Sequence, residues 1–504
     1  MKNFFLLNLL FTTIAFAGFR TPNTSVWWNL DSLVLFSNGV VSGNFPNYSI
    51  SDTVIISTND VLEIDAGCTM LISGQGIVVL GVLRAIGAEN ERIIFSSSTP
   101  APASWKELRF EETSNDAECI LYNCVVEYAD KSINCINASP RISHSTIRYN
   151  NNYGIQCFGS NATIDYDSIY NNVQYGINIT VDSNPYIEHC TIFNNNTQNT
   201  GPKNQISIGT QGINSPIIRF NEIYGSTNFK TGGISISALL GGSGSNAIIE
   251  GNYIHDNSFG IVCAGADINA IIKNNRIENN TLNPNPLQGG SGININYSST
   301  NMPVIAGNII RGNLWGITIQ GNAQPNLGNL SNEDSTDDGK NVFINNAHND
   351  TIFHLYNNTA GSIFAQNNYW GSSNSDSIAM TIFDHTDFPN LGEVIFEPFL
   401  IADPAVNTDE ATEFSRTSFS LKQNFPNPFN PKTIIEFTLS DVSNVTLKIY
   451  DILGREVAAL LNNSRTNIGE HLIEFDASQL SGGMYFYILQ TEKIFERKKM
   501  ILLK

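Results

Sequence analysis

Short apolar clusters alternate with Asn and Gly through the middle of the chain, and the clusters recur. A pattern Ile-x-x-Asn-x-Ile returns as Ile142 with Ile147, Ile164 with Ile169, Ile187 with Ile192, and Ile218 with Ile223. It continues as Ile249 with Ile254, Ile272 with Ile277, and Ile305 with Ile310, and Ile120 with Val125 is a degenerate first copy. Successive copies lie 22, 22, 23, 31, 31, 23 and 33 residues apart. The third residue after the first Ile is often Asn, as at Asn221, Asn252, Asn275 and Asn308, with Ser145, Asp167 and Cys190 as variants. The eighth is usually Asn as well, as at Asn150, Asn172, Asn195, Asn257, Asn280 and Asn313. A Gly-Ile pair commonly follows, as in Gly154-Ile155, Gly260-Ile261 and Gly292-Ile293.

A period near 22 is too short for a repeated helix pair. Three apolar clusters per copy predict three short strands per turn of a coil. Stacked coils would then place like strands in parallel register, about 4.8 Å apart. The Ile columns fill the interior, and recurring Asn at a bend can pair with backbone of the next coil. The longer spacings predict loops inserted at one corner, at Asn196 to Gln205 and Leu282 to Gly290, where repeat proteins often build a binding face.

Composition narrows the class. Of 504 residues, 66 are Asn and 39 Gly, which oppose long helices. Lys and Arg number 27 against 46 Asp and Glu, a formal charge of -19. That balance argues against nucleic acid and anionic lipid surfaces, both of which need cationic side chains. Seven Cys form no CxxC pair, and their places in the repeat predict small buried residues rather than disulfides.

The chain opens with Lys2, an apolar run from Phe4 to Phe16, and Ala15-Phe16-Ala17 before Gly18. This predicts a signal peptide over 1–17, cleaved between Ala17 and Gly18, and no transmembrane span in the mature protein. Residues 18–400 are assigned to the coil, 401–417 to an acidic linker and 418–504 to a second module. That module alternates apolar and polar residues between Gly and Asp turns, which predicts a small antiparallel Ig-like sandwich.

The repeat resembles the right-handed parallel β-helix of secreted polysaccharide-active and surface proteins, across roughly residues 50 to 400. The fold expected is therefore all-β: a right-handed β-helix of about a dozen coils followed by a sandwich. The second module resembles the type A C-terminal sorting domain of the type IX secretion system. The matching segments are Pro426-Asn427-Pro428-Phe429, Tyr450-Asp451 with Gly454-Arg455, Ser481 to Tyr485, and the basic end with Lys498 and Lys499. The resemblance implies handling by the type IX machinery, passage through the periplasm, and a secreted or cell-surface product of a Gram-negative bacterium.

Signatures of common enzymes are absent: no GxSxG, HExxH or P-loop occurs. A β-helix builds sites from side chains on neighbouring coils. The column after each first Ile runs Ser143, Asp165, Glu188, Arg219, Glu250, Lys273. Asp165, Glu188 and Arg219 would suit a calcium-assisted lyase of uronate polymers. Alternating charges equally suit a solvated surface ladder, the reading favoured here. A second column holds Tyr170, Phe193 and Tyr224, which either contact sugar rings or pack under loops. The acidic turn Asp334 to Gly339 lacks EF-hand spacing, and a solvated turn is favoured over a calcium loop. The expectation is a non-catalytic glycan-binding or adhesion scaffold, with polysaccharide lyase or hydrolase as the alternative.

Overall fold

The computed structural model describes residues 18–404 and 420–503, apart from Glu89, Pro202, 226–227, 286–287, 440–441, Ile468 and 492–494. The signal segment with Ala17 and most of the linker lie outside the described residues. The chain divides into two compact units between Asp403 and Pro404.

The first unit winds three strands per coil. One coil runs through Arg141–Ser143, Thr146–Arg148 and Tyr153–Phe158, and Thr163–Asp165 begins the next. Stacking yields three sheets, here numbered 1, 2 and 3 in that order, with 11, 13 and 14 strands. Neighbouring coils pair in parallel. In sheet 1, Ile142, Ile164, Ile187, Ile218, Ile249, Ile272 and Ile305 are in register and fully buried, forming the expected single column. Ile147 to Ile310 make the matching column in sheet 2, and Ile155, Ile177, Ile206, Ile234, Ile261, Ile293 and Ile317 the third. Burying each such side chain is worth roughly 1.5–3 kcal/mol.

The degenerate first copy is corrected by one residue. Leu121, not Ile120, is in register with Ile142, and Val126, not Val125, with Ile147. Because strand side chains alternate faces, a slip of one exchanges inside for outside. Cys124 and Ala129 accordingly take the bend positions that counting from Ile120 would place at Asn123 and Tyr128, and their N–H groups bond Ser145 Oγ and Asn150 Oδ1.

Two residues turn sheet 1 into sheet 2. The first is left-handed, with φ near +55° at His144, Tyr166, His189, Phe220 and Asn274. The second points inward and bridges coils. Asn221 donates to Asn252 Oδ1 at 2.9 Å, and the series continues through Asn275, Asn308 and Asn341 to Asn368 at 2.9–3.0 Å. Each Oδ1 also accepts a backbone N–H of the preceding coil, as Asn252 does from Asn221 at 3.0 Å. A second ladder follows sheet 2, from Asn150 through Asn172 and Asn195 to Gln205 at 2.7–2.9 Å. It resumes as Asn257, Asn280, Asn313 and Asn346 at 3.0–3.1 Å. Both ladders satisfy buried backbone groups that bends would strand.

The open end of the core is covered by a helix, Leu30–Phe36, which buries Leu30 and Leu33. Asn29 caps it by accepting the Ser32 N–H, and the hairpin Val41–Asn44 with Asn47–Ile50 follows. At the far end Val394–Ile395 pairs with Ile363–Phe364, and buried Trp370 stacks on Phe343 at 4.5 Å. All seven Cys are buried and free, as expected.

The second unit is an antiparallel sandwich. Ser420–Leu421, Lys432–Leu439 and Gly469–Asp476 form one sheet. Glu456–Thr466, Ser443–Asp451, Gly483–Gln490 and Phe495–Leu502 form the other. Alternate residues such as Leu447, Ile449, Tyr487 and Leu489 are fully buried between them. Among the described residues no helix is long and apolar enough to cross a membrane.

Candidate functional site

The three faces of the β-helix carry different chemistry. On sheet 1, Asp165, Glu188 and Arg219 stand on consecutive coils in register. Glu188 accepts from Arg219 Nε at 3.2 Å and from the Tyr186 hydroxyl at 3.0 Å. The Arg219 guanidinium lies 4.7 Å over the Tyr186 ring, and Lys273 pairs with Glu250 at 3.4 Å. Asp165 departs from the expected solvated position. It is only 2% exposed, because Arg141 of the preceding coil closes on it with a 2.8 Å ion pair. Each of the three candidates is thus engaged in an ion pair. No group of three His, Cys, Asp or Glu is assembled to hold a metal among the described residues.

On sheet 2, Tyr170, Phe193 and Tyr224 stack on one another. Ring centroids are 4.7 and 4.8 Å apart with interplanar angles of 12° and 7°. His255 extends the stack at 5.1 Å, and Arg148 bonds the Tyr170 hydroxyl at 3.1 Å. The ring faces are occupied by neighbouring rings, and the edges point outward. His255, the last residue of the strand Tyr253–His255, is hydrogen bonded to its neighbour Asp256 at 2.7 Å. Asp256 has φ +52°, so the strand alternation has already ended there.

A further stack, missed in the sequence, occupies the left-handed turn: His144, Tyr166, His189 and Phe220, with centroids 4.7–5.5 Å apart, and Tyr122 at the end of its strand continues it 5.0 Å from His144. Its signal was the column two residues beyond the first Ile. Left-handed turns are ordinarily sites for Gly or Asn, so rings there were unexpected.

Sheet 3 is different. From Gln156 onward, the row facing away from its core column runs Gln156, Asn178, Ser207, Ser235, Val262, Asn294 and Thr318, without an ionisable side chain; only Asn178 and Val262 are part-exposed, and the other five are buried. Asn178 donates to Gln156 at 2.9 Å, and Ser235 accepts from Asn204 at 2.7 Å. Asn204 and Gln288 belong to the two insertions, which both enter sheet 3 at the corner after sheet 2. A cleft of about 170 Å³ opens there, lined by Phe259, Val262, Gln288, Asn294, Asn296 and Tyr297. Tyr297 is 55% exposed at its mouth.

The acidic turn near Asp334 is not a loose carboxylate cluster. Asp334 caps its own turn by accepting the Thr336 N–H, and Asp337 is buried, accepting from Asn326 at 2.6 Å and Asn332 at 2.9 Å.

In the sandwich, the segment Pro426-Asn427-Pro428-Phe429 fastens the last strand. Asn427 Oδ1 accepts the Ile501 N–H at 2.8 Å and Phe429 N–H bonds Ile501 carbonyl at 2.9 Å. Phe429 is buried in the core. Asp451 accepts the N–H groups of Leu453 and Arg455 and pairs with Arg455 Nε at 2.7 Å; Gly454 supplies the left-handed residue with φ +76°. This turn is the tip of the hairpin between Ser443–Asp451 and Glu456–Thr466. Lys498 and Lys499 lie on the final strand.

Residues 423–503 match the family described as secretion system C-terminal sorting domain. The chain is exported through the type IX system. Residues 108–238 match the family described as right handed beta helix region, so this exported β-helix carries both parts expected from its sequence. No curated protein and no solved structure matches the chain. The sorting domain directs the β-helix to secretion or to cell-surface attachment.

Proposed function

We propose that the exported β-helix is a non-catalytic scaffold that binds neutral carbohydrate on sheet 3. The observation that carries this reading is the uncharged cleft on sheet 3 where exposed Gln288, part-exposed Asn296 and the exposed Tyr297 ring come together. Amides both donate and accept, which matches sugar hydroxyls, and an apolar ring matches the C–H face of a sugar. A net charge of -19 disfavours anionic polymers. The cleft has room for a single sugar ring. Nothing comparable favours cleavage, since Asp165, Glu188 and Arg219 are committed to ion pairs.

The test passes the purified chain over immobilised neutral and acidic polysaccharides and scores retention together with new reducing or unsaturated ends. Retention on a neutral polymer, without new ends and lost in Asn296→Ala and Tyr297→Ala, is expected. New chain ends would replace this reading with an enzyme, and retention on acidic polymers alone would move the site off sheet 3.

A further inference from the structure

The outer face of sheet 1 carries a pattern with its own symmetry. Its strands Tyr186–Glu188, Ile217–Arg219, Ile248–Glu250 and Ile271–Lys273 each present two outward residues around a buried Ile. The first outward row is Tyr186, Ile217, Ile248 and Ile271, the last 39% exposed. The second row is Glu188, Arg219, Glu250 and Lys273, which alternates in sign. An apolar row facing outward over four coils is not needed by the core, because the intervening Ile already fills it.

Rotation by 180° about an axis along the strands, midway between Ile217 and Ile248, reverses the order of coils and keeps each row facing its own kind. Ile217 then meets Ile248 of a second copy, and Tyr186 meets Ile271. Arg219 meets Glu250, and Glu188 meets Lys273. With the pairs already present, Glu188 to Arg219 at 3.2 Å and Glu250 to Lys273 at 3.4 Å, the charges close into two four-membered rings. The other simple axis, parallel to the coil axis, would put each charge at the height of its own like. Only the antiparallel arrangement is self-complementary.

We infer that two copies of this chain dock antiparallel through the outer face of sheet 1. About that axis the two copies overlap over six coils, from Thr163–Asp165 to Val304–Ala306, about 24 Å at ~4.8 Å per coil. With a width near 10 Å it buries roughly 240 Å² per copy, below the ~800 Å² of a standard interface. The dimer is therefore a weak one, with a dissociation constant in the micromolar range or above, and salt loosens the charged rings.

Sedimentation equilibrium of the purified full-length chain over micromolar to millimolar concentration tests this. A monomer–dimer equilibrium is expected. Arg219→Glu places like charges opposite each other and weakens it about tenfold or more. The double exchange R219E/E250R restores the facing pairs while putting like charges side by side within one chain. It recovers the dimer, whereas a purely intrachain ladder would lose stability and gain nothing. Ile248→Glu abolishes the dimer, and unchanged melting temperature shows that the coil itself is intact. A chain monomeric at every concentration, a dimer indifferent to Ile248→Glu, or a double exchange that fails to rescue would each overturn the inference. It stands independently of carbohydrate binding on sheet 3.

Discussion

Asp167 Oδ1 accepts the backbone N–H of Ser145 at 2.6 Å, in the place where later coils use an Asn. Asn221 shows what that place requires: its Oδ1 accepts the Cys190 N–H at 2.9 Å, while its Nδ2 donates to the Ile187 carbonyl at 3.0 Å. A carboxylate has no donor for the second role. Asp167 Oδ2 is buried without a hydrogen-bond partner among the described residues, and burial pushes the carboxyl well above the usual range.

The first prediction follows from that relationship. A carboxyl whose folded pKa is raised stabilises fully below its unfolded value, near 3.8, and loses that contribution as pH rises through the folded value. Asp167→Asn removes the loss and supplies the missing donor. The variant should melt higher than the wild type at pH 7–8, by about 1–3 kcal/mol, with a smaller gain at pH 4. An equal gain at both pH values would show that folding leaves the titration of the Asp167 carboxyl unchanged.

His354 ends the second ladder, with its Nδ1 3.2 Å from the Asn346 side-chain nitrogen. The imidazole must be neutral to accept there, and burial lowers it to about 4. Between that value and its unfolded 6.5 the unfolded chain binds a proton that the folded chain refuses. Stability should therefore fall as pH drops from 6.5 towards 4, by up to about 3 kcal/mol from this group. Denaturant melts of His354→Gln, which keeps an acceptor and does not titrate, should show a flatter acid limb than wild type.

The recurring Gly-Ile pair has a steric origin. A Cβ on Gly260 would lie 2.4 Å from the Gly292 carbonyl oxygen and 2.6 Å from Ile277 Cγ2, so adjacent coils meet through that gap. Gly260→Ala should destabilise the coil by about 1–3 kcal/mol, because the obstacle includes backbone. Gly241→Ala meets nothing within 4 Å and should melt like wild type. Matching losses in both variants would place the cost in backbone freedom rather than in crowding.

The parallel coil was legible because one periodic constraint, inward Ile with bridging Asn, repeats often enough to fix register by itself. It failed at Ile120, where Leu121 and Val126 offered a competing apolar pair one residue on. The helical cap Leu30–Phe36 occurs once, so no period announced it. Columns placed Asp165, Glu188 and Arg219 together correctly, but Arg141 closing over Asp165 depends on how a side chain folds across coils. The cleft at Phe259 and Tyr297 was half legible: the insertion at Leu282 marked its corner, while its lining is shared between two neighbouring coils.

The last prediction concerns export. Each coil makes its hydrogen bonds with neighbouring coils, and the final ones are closed by Val394–Ile395 on Ile363–Phe364 within the first unit. A solenoid held this way does not depend on a separate sandwich for its fold. Deleting residues 419–504 should leave a chain that melts cooperatively with the β-sheet signal of the β-helix. The deletion removes Pro426 to Phe429, the Asp451 to Arg455 turn and the basic strand, which together form the sorting domain. In its native host the truncated chain should accumulate in the periplasm, folded, while the intact chain reaches the surface or the medium. Phe429→Ala offers a finer version, since emptying that fully buried site should cost the sandwich about 3–5 kcal/mol and impair export without touching the coil. Fractionation followed by immunoblotting reads both variants, and normal surface appearance of the truncated chain would show that export relies on some other signal.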